Sequence, residues 1–410
     1  MNSHTRDYST ATPLSPSARL KAIFILGSLS AFGPLSLDMY LPALPKLAEE
    51  LGATASVTQL SLTSCLLGLA LGQLVAGPMS DVRGRRSPLL LSLCIYAISS
   101  LLCVFAPSAW GLIALRFLQG LSGAAGIVIS RAVVRDLYSG SELTRFFSML
   151  MLVNGAAPIL APIFGGQLLQ YTSWRGVFVV LSLIGVVMMI AVLFGLPESL
   201  PKERRQSGGL SATGMTFRRL LGDRLFVGFC LTQGLVSAAM FAYISGSSFV
   251  MQNVFEVSPQ MYSLIFAANG VGIIIASQVT GRLAGRVKEA SMLQLGLALA
   301  VTASIGLLAS IVLGGTLITV LIPLFFVVAC VGIVSTSGFS LAMQSQGKAA
   351  GSASALLGLI PYILGAAVAP LVGLGGEHTA LPMVIVIAIA ELGALLSYLL
   401  LVRPRLNPSS

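Results

Sequence analysis

The sequence predicts an all-α integral membrane protein of twelve transmembrane helices, built as two pseudo-symmetric six-helix bundles with both termini cytoplasmic. Three observations predict it. Only 9% of the 410 residues are charged and 56% are apolar, whereas a soluble protein carries about 25% charged residues. Apolar runs of about 20 residues, long enough to cross a bilayer as a helix, recur from Leu20 almost to the C-terminus. One polar stretch, Pro197 to Arg224, divides these runs six and six.

The expected spans are 20–44, 57–79, 88–106, 109–131, 145–169, 174–196, 225–250, 260–282, 290–312, 316–341, 349–373 and 380–402. They give a tail at 1–19, a first bundle at 20–196, a cytoplasmic linker at 197–224, a second bundle at 225–402 and a tail at 403–410. The first apolar run continues past Pro34 and Asp38 without a small-residue cleavage site, so it reads as a retained span and not a removed signal. With both termini inside, every Lys and Arg except Lys46, Arg116 and Arg175 falls on the inner side, as the positive-inside rule requires. That distribution accounts for the net charge of +10. No aromatic-interleaved basic patch accompanies it, so nucleic acid is not an expected partner.

Other chemistries find little support. Cys65, Cys94, Cys103, Cys230 and Cys330 all lie in apolar runs, are odd in number and lack Cys-x-x-Cys spacing, so they read as small core hydrophobes. His4 and His378 fall in a tail and a loop, which argues against a metal site. No G-x-x-x-x-G-K-[ST] loop is present, so ATP is not the expected fuel. No paired acids with a histidine or nucleophile with a base mark an enzyme. No cofactor is expected.

Features recur between the halves at an offset of about 204. The loop Gly77 to Arg86 is echoed by Gly281 to Arg286, and Pro158, Pro162, Gly165 and Gly166 have a looser echo in Pro361, Gly365, Pro370 and Gly373. Two related bundles place a cavity at their interface and permit rocking between two openings.

Asp38 and Arg116 are the most informative residues, because a charge in hydrocarbon costs at least ~2.5 kcal/mol and faces a partner or a water-filled cavity. Both lie roughly 10 Å from the outer ends of their spans at 1.5 Å per residue. They are candidates for proton coupling, with a static pair joining the first and fourth spans as the alternative. Glu391, in mid-span, snorkels, pairs with a polar group or stays neutral. Gln119, Asn154, Gln233, Tyr243 and Asn269 are candidate substrate contacts, equally able to serve as helix-helix hydrogen bonds. Met240 and Phe241 are added because soft and aromatic groups suit broad pockets. The loop Gly77-Pro-Met-Ser-Asp81-Val-Arg83-Gly84-Arg85-Arg86 places an acid and three arginines at an inner turn, where they can pair with an acid on another helix.

That loop resembles the signature of the major facilitator superfamily. Arg116-Phe-Leu-Gln-Gly-Leu-Ser-Gly-Ala-Ala125 and Ala157-Pro-Ile-Leu-Ala-Pro-Ile-Phe-Gly-Gly166 are similar to motifs of its twelve-span drug:proton antiporter group. Leu37 to Pro45, Arg131 to Tyr138 and Met240 to Ser245 resemble the bicyclomycin-resistance (Bcr/CflA) subfamily of bacterial exporters. The resemblance covers nearly the whole chain. It implies the major facilitator fold in a bacterial inner membrane and a small-molecule drug substrate exchanged for protons, the protein working as a monomer.

The resemblance also implies site roles. Asp38 takes the proton-coupling carboxylate and Arg116 the motif arginine. Asp81 is expected near the inner start of the eleventh span and Arg85 opposite Asp136, as a conformational latch. Two positions depart from the pattern: Val82 replaces a basic residue and Ala161 a glycine. Where relatives with broad cation range carry a second acid, this chain has Ser30 and Ala31, so small, largely neutral drugs of bicyclomycin or phenicol type are the expected cargo. A metabolite exporter or an uptake symporter on the same fold is the alternative.

Overall fold

The computed structural model describes residues 16–138, 140–205, 218–344, 346 and 350–406. Most of the expected N-terminal tail with His4, the middle of the linker (206–217), Lys348 and residues 407–410 lie outside the described residues. The first half contains α1 (Pro16–Ser30), α2 (Phe32–Asp38), α3 (Leu44–Glu50), α4 (Ala55–Arg83), α5 (Arg86–Val104), α6 (Ala109–Leu137), α7 (Gly140–Leu168) and α8 (Trp174–Gly195). The second contains α9 (Arg224–Phe249), α10 (Pro259–Leu283), α11 (Glu289–Val312), α12 (Leu317–Gln344), α13 (Ala350–Val368), α14 (Leu381–Ser397) and the short α15 (Arg403–Leu406). Apart from one isolated bridge between Ala284 and Val287, no β-structure occurs among the described residues.

Among the described residues, ten helices are long and apolar enough to cross a membrane, or eleven when the bent first segment is counted as one span. The expected span 145–169 corresponds to α7, whose apolar part within the described residues is the shorter Leu152–Leu168. Many helices run past their expected ends; α4 and α6 extend to Arg83 and Leu137. The hydrophobic run marks where lipid is, whereas the backbone ladder continues until a cap or glycine stops it.

The first segment bends by 41° between Phe24–Ser30 and Phe32–Glu50. Pro34 has no N–H to give the Ser30 carbonyl, which breaks the helix there. Asp38 ends α2 just before the Met39-Tyr40 turn, so the break carries the carboxyl. At the linker end, α4 stops at Gly84 with φ +90°, and the second half repeats this turn at Gly285 with φ +81°. Both conformations are left-handed and favour glycine.

Within the first half, α4 lies so close to α6 that a Cβ on Gly120 would stand 2.2 Å from the Cys65 carbonyl oxygen. Small residues at such crossings let backbones pack where lipid offers no hydrophobic drive. Phe194 and Leu313, each 82% exposed, mark the outward, lipid-compatible faces. All five cysteines are free, four of them buried.

The buried core is asymmetric along the helices. At the end opposite the linker, called here the far end, one continuous apolar cluster draws residues from both halves, among them Tyr40, Leu62, Trp174, Ala242, Met251 and Val372. Toward the linker end the core divides, one cluster around Leu26, Leu93 and Val133 and another around Phe229, Leu297 and Val334.

Candidate functional site

The far end is sealed by hydrogen bonds between the halves. Ser56 and Thr63 on α4 donate to the carbonyls of Pro370 and Ala366, and Gln59 donates to the Ser245 carbonyl at 3.1 Å. Ser248 and Gln252 donate to the carbonyls of Leu41 and Pro42, and Gln260 to that of Gly166. A Cβ on Gly373 would stand 2.5 Å from the Ser56 backbone nitrogen, so the seal depends on that missing atom.

Behind the seal, Asp38 lines an enclosed space of about 10 Å³ with Leu62, Phe241, Ile244 and Ser245. That is about the room of one water molecule. Toward the linker end a cavity of about 260 Å³ lies between the halves, with Gln73, Val128 and Arg131 on one side and Ser354 and Leu359 on the other. Tyr362 on α13 packs against Phe241 of the Asp38 space, with ring centroids 5.9 Å apart.

Asp38 and Arg116 come to the same region without a direct ion pair. Arg116, fully buried, donates to the Ser36 carbonyl at 2.7 Å and to Oε1 of Gln119, and its guanidinium lies 4.3 Å from the Tyr40 ring centroid. Gln119 in turn donates to Ser100 Oγ at 2.7 Å. Ser36 bonds the Tyr96 hydroxyl at 2.7 Å, and Tyr40 bonds Ser61 at 3.0 Å. Arg116 therefore grips the backbone that carries Asp38, by hydrogen bonds that the low dielectric strengthens.

This network corrects the expected contact set in part. Gln119 is fully buried and engaged by Arg116 and Ser100, so it does not face a cavity. Asn269 donates to the Tyr243 hydroxyl, Gln233 to the Ser335 carbonyl and Asn154 to the Leu150 carbonyl of its own helix. The first two are links between helices, the role that competed with substrate contact. Phe241 lines the Asp38 space, whereas half-buried Met240 packs against two apolar clusters. Glu391 is fully buried and neither carboxyl oxygen has a hydrogen-bond partner among the described residues, so it neither snorkels nor pairs with any of them.

On the α7 face, a Cβ on Gly165 would stand 1.8 Å from the Met39 carbonyl, directly after Asp38. Gly166 meets Ser263 and Pro259 of the second half, while Pro158 and Pro162 lie inside the helix. The motif helix thus touches both the coupling region and the seal.

At the linker end, Arg85 donates to Asp136 at 2.8 Å, to Ser80 at 2.8 Å and to Asp81. All of these groups belong to the first half. The expected approach of Asp81 to the start of the eleventh span involves residues 347–349, which lie outside the described residues. Gly77 lies 3.5 Å, measured from a hypothetical Cβ, from Val128 on α6. Val82 and Arg83 are exposed, and Arg86 donates to the Leu193 carbonyl.

The sequence reading passed over Glu198. Its carboxylate accepts the backbone N–H groups of Arg85 at 2.8 Å, Arg86 at 3.2 Å and Leu200 at 3.0 Å. Burial alone would raise its pKa, but these N–H bonds and the Arg205 charge outweigh burial and hold it below the usual value. Ser199 beside it donates to Asp136. The start of the linker is therefore part of the latch cluster. The only signal was the polar pair directly after an apolar run.

Comparison with known proteins agrees with this architecture. The sequence profile described as the Major Facilitator Superfamily matches residues 26–370. The chain is 44% identical over 394 residues to an uncharacterized MFS-type transporter, YdgK, of Bacillus subtilis, covering 96% of this chain and 98% of that one. It is 31% identical over 376 residues to the bicyclomycin resistance protein homolog of Haemophilus influenzae, covering 92% and 94%. A crystal structure of a bacterial homolog of the human lysosomal transporter Spinster, inward-facing and unoccupied, superposes with a TM-score of 0.71 at 15% identity, covering 95% of each chain. Twin helical bundles, a shared seal and this breadth of match identify a multi-pass membrane transporter, and the chain belongs to the Major Facilitator Superfamily.

Proposed function

We propose that the protein is a proton-coupled exporter of small, largely neutral antibiotics, working by alternating access in a bacterial inner membrane. The observation that carries this reading is the position of Asp38 in a water-sized space directly behind the far-end seal, with a larger cavity between the halves toward the linker end. A carboxyl at that point exchanges its proton with whichever side the cavity faces, so rocking of the halves couples proton entry to cargo release. The bicyclomycin resistance relative supports a drug as cargo. The space around Asp38 is far below the ~300 Å³ of a drug site, so in this state it holds at most water, and cargo binds on the linker side. With Arg131 on the linker-end cavity and Asp38 the single acid of the first half's membrane part, a permanent cation meets repulsion, whereas a neutral drug needs only hydrogen bonds.

The test uses purified protein in proteoliposomes under an imposed pH gradient. The parent should accumulate a phenicol and move protons with it, and Asp38→Asn should do neither while inserting normally. Parental transport by Asp38→Asn would overturn the coupling role. A quaternary ammonium dye transported as well as the phenicol would overturn the substrate class.

A further inference from the structure

The cavity at the linker end contains a cation with no hydrogen bond or ion pair to a carboxylate among the described residues. Arg131, on α6, lines it, and its Nε is buried without a hydrogen bond. Arg131 as a whole is half-buried, whereas the two buried arginines of this half are held by hydrogen bonds: Arg85 by Asp136, Asp81 and Ser80, and Arg116 by Ser36 and Gln119. No Asp or Glu lines the cavity among the described residues. A half-buried guanidinium against an apolar wall with no carboxylate beside it favours a ligand that supplies negative charge.

The neighbouring groups define what could supply it. Gln73 on α4 and Ser354 on α13 face the same cavity from opposite halves, and neither has a hydrogen bond to another described residue. Leu74, Val128 and Leu359 make the remaining wall apolar. One fork-shaped cation, an amide and a hydroxyl over an apolar bed match a planar oxyanion on a hydrophobic body. At 1.5 Å per residue, the 15-residue interval on α6 puts Arg131 roughly 22 Å from Arg116, so the anion would sit well away from the Asp38 region.

We propose that this cavity is a binding site for an amphiphilic organic carboxylate, anchored by Arg131 and assisted by Gln73 and Ser354. The proposal rests on the transporter reading and extends its cargo from neutral compounds to monoanions. Because Ser354 belongs to the second half, rocking of the halves changes its distance from Arg131, so the complete site exists in only one of the two states.

The test measures binding of 2-naphthoate and of its uncharged amide, 2-naphthamide, to the full-length protein in nanodiscs by equilibrium dialysis. The parent should bind naphthoate about tenfold more tightly than naphthamide, the difference expected of one charge-assisted anchor. Arg131→Gln should bring that ratio close to one, and Arg131→Lys should give an intermediate ratio because it keeps charge without the fork. Ser354→Ala should weaken naphthoate binding by a smaller factor, which keeps the test valid if either Arg131 variant fails to fold. Equal binding of both probes by the parent, or an unchanged ratio in folded Arg131→Gln, would overturn the proposal. Naphthoate binding should be the same in zwitterionic and anionic nanodiscs; its loss in anionic lipid would assign the site to a lipid headgroup and overturn the substrate role. Phenicol transport by the parent is scored separately, so failure of the export reading is distinguishable from failure of the anion site.

Discussion

Arg116 does not pair with Asp38 directly; it donates at 2.7 Å to the carbonyl of Ser36, two residues earlier on the same broken helix. The guanidinium thereby holds the backbone of the coupling carboxyl in place, while Gln119 and the Tyr40 ring hold the guanidinium. A proton arriving at Asp38 need not break an ion pair to be taken up. A positioning arginine of this kind sets where the carboxyl sits as well as how the field around it looks.

Arg116→Ala should therefore destabilise the protein, because it leaves the Ser36 carbonyl and Gln119 Oε1 buried without a donor, at ~1–3 kcal/mol for each. Arg116→Lys should recover part of that loss, since one ammonium cannot reproduce the planar fork. Thermal unfolding in detergent and drug-driven proton movement read the two effects apart. Normal coupling in Arg116→Ala would remove Arg116 from the mechanism.

Gly373→Ala should open the far end. Its new Cβ would overlap the Ser56 backbone nitrogen of the other half at 2.5 Å, and overpacking of this sort costs ~1–3 kcal/mol, a population shift of roughly 5- to 150-fold. On a cysteine-free background, a probe cysteine at Ser248 should label faster from the far side than in the parent. Gly165→Ala makes the contrast: its clash is with the Met39 carbonyl in the same half, so it should impair proton coupling with less change in far-side labelling.

Glu198→Gln should loosen the start of the linker. The carboxylate is held below its ordinary value of 4.5, so its stabilising contribution is complete above that value and is lost as pH falls through the depressed one. The parent should lose thermal stability on acidification over this range, and Glu198→Gln should show a lower melting temperature at pH 7 with a weaker acid dependence. Identical melting profiles would show that the Glu198 bonds to Arg85, Arg86 and Leu200 add no net stability.

Glu377, in the far-end loop between α13 and α14, should make the seal pH-sensitive. Burial raises its pKa above 4.5, His378 partly opposes this, and Glu49 of the other half adds to the rise. Ionised Glu377 therefore penalises the sealed state above its raised pKa, and the penalty disappears as pH falls below the ordinary value. Acidifying the far side should slow labelling of a seal cysteine, and Glu377→Gln should abolish that dependence. An unaltered pH response in Glu377→Gln would assign the effect to another group.

By itself the sequence determined that the chain is helical, membrane-spanning and divided in two, because lipid demands long apolar runs and closed backbone hydrogen bonding. It also singled out Asp38, Arg116 and the Gly77–Arg86 loop, since charge in hydrocarbon and a glycine-basic turn are conspicuous without any fold. Tertiary structure alone decided how these residues are connected. Gln119 had an amide suited to a drug, yet packing places it beneath Arg116; Glu198 looked like one polar linker residue, yet three backbone N–H groups converge on it. Arg131 stood out in sequence as an inner-side charge opening the Arg131–Tyr138 motif, and only the facing helices put it beside a cavity with no acid among its described lining residues. The physical reason is the same in each case: periodicity and composition specify one helix against its solvent, whereas a side chain's partner is set by which helix crosses it, and at what depth.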